Sequence, residues 1–163
     1  MNRKLFNALF AAASLCVFML AAAADGVEDS DTNNTTPFQF SRTKLAGQDL
    51  STIPPFPAEA IISGGDPAPK LEVLFRGDIV YGIYESKTVK LKVTAPWAYD
   101  EWVLILSGEL HLYDDATDKT QIFKEGDHVM VPKGFTGTWE NIGDPYREAF
   151  IIERKTFEAV WGE

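Results

Sequence analysis

Short apolar runs recur along the chain from Leu71 onward, separated by turn-forming residues. The first are "LEVLF" (71–75), "IVYGIY" (79–84) and "TVKLKVT" (88–94), the last with Val89, Leu91 and Val93 alternating with polar neighbours. "EWVLIL" (101–106) is nearly all apolar, as a strand buried on both faces would be. Ser107-Gly108 then reads as a turn into "ELHLY" (109–113), where Leu110 and Leu112 alternate with Glu109, His111 and Tyr113. "QIF" (121–123), "HVMVP" (128–132), "TGTWEN" (136–141) and "EAFIIER" (148–154) complete the series. A period of two in short runs about ten residues apart predicts an all-β sandwich or barrel. The only amphipathic helix longer than two turns is expected at the C-terminal end.

Ahead of Leu71 this pattern is absent. Residues 38–69 are rich in Pro and Gly, and Pro54, Pro55 and Pro57 forbid a continuous helix or a central strand. The segment is predicted to be an extended arm wrapping the domain, with at most one short helical turn. "DGVEDSDTNNTT" (25–36) is polar and acidic and reads as a flexible leader. At the start, Arg3 and Lys4 precede an apolar run that ends in Ala22-Ala23-Ala24, the layout of a secretory signal peptide. An uncleaved anchor is the alternative, since about 20 apolar residues can span a bilayer, but the Ala-rich run and its Ala-x-Ala end favour cleavage. The expected organisation is therefore a signal peptide (1–24), a leader and arm (25–59) and one domain (60–163). The protein is expected to be secreted or periplasmic, with no stable membrane insertion after cleavage.

Charge and cysteine content change the picture after cleavage. The whole chain has a formal charge of -9; losing Arg3 and Lys4 takes it to -11, and Cys16, the one cysteine, leaves with them. Without disulfides the domain depends on its apolar core, which a chain of this length can supply. The acidic balance argues against nucleic acid or an anionic membrane as partner.

Two spacings stand out between Glu101 and Asn141. Glu101 is followed by six residues and then Gly108. Gly126 is followed by five residues, then Pro132, Gly134, Gly137 and Asn141, within "GDHVMVPKGFTGTWEN". Together these frames resemble the two linked motifs of the cupin superfamily, and the resemblance implies a double-stranded β-helix, the cupin or jelly-roll barrel, here with an extended N-terminal arm. "PWAYDEWVLILSGELHL" and "ISGGDP" add a likeness to ureidoglycine aminohydrolase-type cupin domains over roughly residues 60–153. That enzyme has two cupin domains and uses a metal, whereas this chain has room for one domain. Because cupin barrels commonly pair through edge strands or a swapped arm, a homodimer is expected, and covering exposed strand edges is the physical reason.

The resemblance also shows where metal ligands would stand. The first motif's two histidines fall on Ala95 and Trp97, or with a longer gap on Thr94 and Pro96, and the second motif's histidine falls on Gly137. Glu101 alone remains of the four, and a lone carboxylate cannot hold a transition metal against water. His111 and His128 lie outside these positions. No metal and no other cofactor is expected; a divalent metal held by atypical ligands is the alternative. The expected ligand-binding residues are Trp97, Tyr99, Glu101, Phe135 and Trp139, aromatic faces around one carboxylate that suit a small polar molecule, sugar-like or carboxylate-like. Glu101 is the candidate catalytic acid or base. Three classes of function stay open: a metal-free binding or sensing domain, an enzyme (hydrolase, lyase or isomerase), and a structural domain whose barrel is filled.

Overall fold

The alternation seen in the sequence becomes strands because each run can bury one face against the others while its backbone pairs sideways. The computed structural model describes residues 36–93 and 95–161. The expected signal peptide, leader residues 25–35 and Thr94 lie outside the described residues. In chain order the elements are α1 (Arg42–Leu45), β1 (Ser51–Thr52), a 3-10 turn (Ala58–Ala60), β2 (Ile61–Gly64), β3 (Lys70–Arg76), β4 (Ile79–Ser86), β5 (Val89–Val93), β6 (Glu101–Asp114), β7 (Lys119–Lys124), β8 (His128–Val131), β9 (Gly137–Glu153) and α2 (Arg154–Trp161).

All strand pairs are antiparallel, and they join into one nine-stranded sheet among the described residues. The sheet curls into a jelly-roll barrel. Its spine is β9, which pairs with β6 along its length on one side and with β5 and then β4 on the other. Val80, Val89, Val103, Ile105, Leu110 and Ile152 point inward and are almost fully buried. Each such side chain stabilises the fold by about 1.5–3 kcal/mol relative to an exposed one.

β6 and β9 correct the expected strand map. Ser107-Gly108 is not a hairpin turn; β6 runs through it as one 14-residue strand with register shifts on both sides. Before this bulge Glu101, Val103 and Ile105 face in, and after it Leu110 and Leu112 do, so the inward phase switches parity. β9 switches likewise, from Trp139 and Asn141 to Tyr146, Glu148, Phe150 and Ile152. The two strands bend together here. Gly108 holds φ at +82°, and a Cβ on it would stand 2.4 Å from the Ile142 carbonyl oxygen, so only glycine fits the corner.

The arm contains two short turns, α1 and the 3-10 turn, where one was expected. It is fastened to the outer face: Phe40 stacks on Tyr81 with centroids 4.4 Å apart, Lys44 pairs with Glu72 at 3.1 Å, and β1 pairs with β3. At the other end of the chain α2 sets Phe157 against Phe150, and the Arg76 guanidinium lies over the Phe157 ring.

Candidate functional site

The inward residues leave a space near one side of the barrel. A cavity of about 80 Å³ is lined by aromatic Phe56, Tyr84, Trp97, Tyr99, Trp139 and Phe150, by aliphatic residues, and by polar Glu101, Asn141 and Glu148. None of the lining residues is basic. A site large enough for one water needs only about 10–15 Å³ on this measure, so the space is large enough for a small molecule.

Each polar group reaches the cavity through strand alternation. Glu101 opens β6 and pairs in register with Val131 of β8; Glu148 lies on β9 opposite Tyr84 of β4 and Ile105 of β6. The carboxyl-bearing residues are 6% and 5% exposed. Burial is the main force pushing both away from their charged forms. Glu101 is held well above the ordinary value of 4.5, first by burial and then by repulsion from Glu148, with slight relief from the Trp97 indole. Glu148 is pushed up to about 7 by burial, partly offset by the hydrogen bond that the Tyr146 hydroxyl donates to its Oε2.

The rest of the polar lining is tied together. Trp139 Nε1 donates to Asn141 Oδ1 at 2.9 Å, and Asn141 Nδ2 donates to Ser86 Oγ at 3.0 Å. Among the described residues three buried atoms stand outside this network: Tyr84 OH, Trp97 Nε1 and Glu101 Oε2 have no partner with hydrogen-bond geometry. Trp97 lies close enough to Glu101 to favour its charge a little, and Ser86 and Asn141 do the same for Tyr84, but neither approach completes a bond. Unpartnered buried polar atoms are costly, and here they line a cavity.

Of the residues expected at the site, Trp97, Tyr99, Glu101 and Trp139 line the cavity. Trp97 stacks on Trp139 with centroids 5.2 Å apart and planes 21° from parallel, and Tyr99 lies 5.4 Å from Trp97. Phe135 is not part of the lining; its carbonyl accepts from the Trp97 backbone N–H at 2.8 Å, so it braces the segment that carries Trp97. Arg147, beside Glu148 in the sequence, is turned away from the cavity. It lies on the outer face, where its Nε and Nη2 donate to Glu85 Oε2 at 2.9 and 2.6 Å, while Glu140 pairs with Lys90. His111 binds Glu109 at 2.9 Å and His128 packs beside Trp102, both outside the cavity. Sequence reasoning missed Glu148, Tyr84 and Phe56. The signal for Glu148 was the alternation Tyr146, Glu148, Phe150, Ile152, which puts it on the apolar face.

Residues 74–149 match the EutQ-like cupin domain family. That stretch is just under half of the chain, and the barrel has the fold of a cupin domain. Among solved structures, this barrel is similar to a protein of unknown function from Pseudomonas syringae pv. tomato, with 20% identity over 63% of this chain and 43% of that one and a TM-score of 0.56. It is also similar to the polyketide cyclase RemF from Streptomyces resistomycificus (14% identity, 73% and 80% coverage, TM-score 0.50). An ethanolamine utilization protein from Salmonella typhimurium matches at 22% identity over 53% and 70%, with a TM-score of 0.46. At these identities the likeness is one of fold, and the chain spans less than half the length of the Pseudomonas protein. No curated protein matches the sequence.

Against the usual cupin metal site, the residues present do not fit. Trp97 fills one ligand position with an indole. At Gly137 the reason is steric: its φ is +147°, and a Cβ would stand 1.8 Å from the Tyr113 carbonyl oxygen, so a histidine there would force β9 away from β6. The cavity offers two carboxyls that burial drives toward neutrality and an amide oxygen already bonded to Trp139. Among the described residues no three His, Cys, Asp or Glu side chains converge on one point. Soft metals want imidazole or thiolate, and hard cations want charged carboxylates with room for several waters, so a small, mostly apolar cavity whose acids are driven toward neutrality suits neither.

Proposed function

We propose that this cupin domain binds a small polar organic molecule inside the barrel, without a catalytic metal. The observation that carries this reading is Glu101 Oε2, a buried acceptor with no protein partner, facing a cavity walled by stacked tryptophans. A ligand that donates to Glu101 and lies against the rings would complete what the protein leaves open. Two acids and no base in the lining make a carboxylate a poor fit and a donor-rich ligand, sugar-like or otherwise, a good one. The test is a thermal-shift screen of small polyols, amines and acids against the wild type and Glu101→Gln. At least one class should raise the wild-type melting temperature and leave the variant unchanged. No stabilising compound, or equal shifts in both proteins, would overturn the reading.

A second reading has its own observation. Glu101 and Glu148 share one cavity, and burial raises both carboxyls above the ordinary value, as in sites that use a carboxyl pair for acid–base catalysis. On this reading the domain is a hydrolase, lyase or isomerase, the class to which the ureidoglycine aminohydrolase likeness points. Turnover of ureidoglycine, abolished in Glu101→Gln, supports it; no turnover by the wild type removes that substrate. Under either reading the work is done outside the cytoplasm, a proposal resting on the composition of residues 1–24. A mature N-terminus at Asp25 in an exported fraction tests it.

A further inference from the structure

We propose that the ligand of this pocket is a small primary ammonium ion, held between the Trp97–Trp139 stack and the carboxyl groups of Glu101 and Glu148. The inference rests on the reading of the barrel as a ligand site and names the chemical class it takes. Three observations converge on it, and each rejects a different kind of competitor.

The first is charge. Two carboxyl-bearing residues, 6% and 5% exposed, face one cavity, and no lining residue carries positive charge. Arg147, next to Glu148 on β9, and Lys70, next to the lining Leu71 on β3, both bind Glu85 on the outer face. A cation brought into the cavity therefore supplies the missing counter-charge. An anion would meet two acids.

The second is the wall. Trp97 and Trp139 lie 5.2 Å apart with nearly parallel planes, Tyr99 is 5.4 Å from Trp97, and Phe56 lies 6.5 Å from Tyr84. The negative faces of such rings attract a cation, and indole does so best. Neutral alcohols gain little from this term.

The third is the unpartnered oxygen. Glu101 Oε2 and Tyr84 OH both lack a partner and both can accept a hydrogen bond. A quaternary ammonium has no N–H to give them. A primary ammonium has three. Size sets the limit: a dry cavity of about 150 Å³ admits benzene, so a cavity of about 80 Å³ encloses about three to five non-hydrogen atoms. A short alkylammonium ion fits.

The pH dependence follows from the neighbours of Glu148. It is faced by Tyr84 from β4 and Ile105 from β6, it is repelled across the cavity by Glu101, and Tyr146 precedes it on β9. None of these is basic, so the ammonium competes with a proton for the carboxylate. An alkylammonium stays charged below about pH 10. Its affinity should rise as the pH passes through about 7, where Glu148 ionises.

The experiment is isothermal titration calorimetry with three isosteric probes, n-propylammonium, 1-propanol and propionate, at pH 6 and pH 8. Propylammonium should bind at pH 8, about tenfold more weakly at pH 6, and more tightly than propanol at pH 8, with propionate silent. Glu148→Gln should weaken propylammonium binding and remove its pH dependence. Glu101→Gln should weaken binding too and serves as the second variant if the first does not fold. Equal binding of propanol and propylammonium, or a preference for propionate, overturns the cation assignment while leaving the pocket a ligand site. Silence from propylammonium overturns the assignment as well. The ligand reading itself then stands or falls on the wider thermal-shift screen.

Discussion

Replacing Glu148 by glutamine should change how stability depends on pH. The glutamine keeps the shape and can still accept from the Tyr146 hydroxyl, but it does not titrate. In the folded protein Glu148 takes up its proton near pH 7 rather than 4.5, because burial disfavours the carboxylate. The folded chain therefore holds a proton that the unfolded chain has already released between these values. Stability is full below the unfolded pKa and falls as pH rises through the folded one. At 1.36 kcal/mol for each pH unit, the 2.5 between 4.5 and 7 amounts to about 3 kcal/mol lost by pH 8. In a domain of this size that corresponds to about 10 °C in melting temperature. Melting curves of wild type and Glu148→Gln from pH 5 to pH 8 measure it. The variant should gain on the wild type as pH rises and be the more stable protein at pH 8. A difference between the two that stays constant across that range refutes the reasoning.

Gly137→His, which rebuilds the cupin ligand position, should cost at least about 3 kcal/mol, because its Cβ would overlap the Tyr113 carbonyl and φ is unfavourable. Urea unfolding at wild-type stability would contradict this. Asn141→Ala removes the link between Trp139 Nε1 and Ser86 Oγ, strands the buried indole N–H and should cost about 2 kcal/mol in the same assay. The mature chain should sediment at the mass of two chains at micromolar concentration, since Met130 is 60% exposed on β8, a strand that among the described residues pairs with β6 alone. A single-chain mass rejects the dimer.

The strands were legible because alternation survives within each run: Val89, Leu91 and Val93 face in, as do Leu110 and Leu112. The joins were not. Ser107-Gly108 carries turn chemistry, and a bulge uses the same residues to flip the inward phase, so a local reading splits β6 in two. The same ambiguity hid the length of β9. At the site, the motif frame placed Glu101 and Trp139 on the cavity wall. It did not single out Glu148, whose neighbour Arg147 offers an obvious surface pair; the alternation with Tyr146, Phe150 and Ile152 carries that signal, and the register of β9 sets the two neighbours on opposite faces. Phe56 was beyond reach for a different reason. It comes from the Pro-rich arm, and nothing local says which part of the barrel an arm will touch.

A ligand site and a packed volume at the Trp97–Trp139 cavity differ in how the rings respond to a small molecule. Indole N–H resonances of isotopically labelled protein report on it directly during titration with propylammonium, propanol and propionate at pH 8. Trp97 has an unpartnered buried N–H, Trp139 stacks on it, and Trp102 lies outside the cavity beside His128. A saturable shift of the Trp97 and Trp139 signals with a stationary Trp102, lost in Glu101→Gln, is the predicted result. Stationary Trp97 and Trp139 signals with every probe, or equal movement of all three, would contradict it.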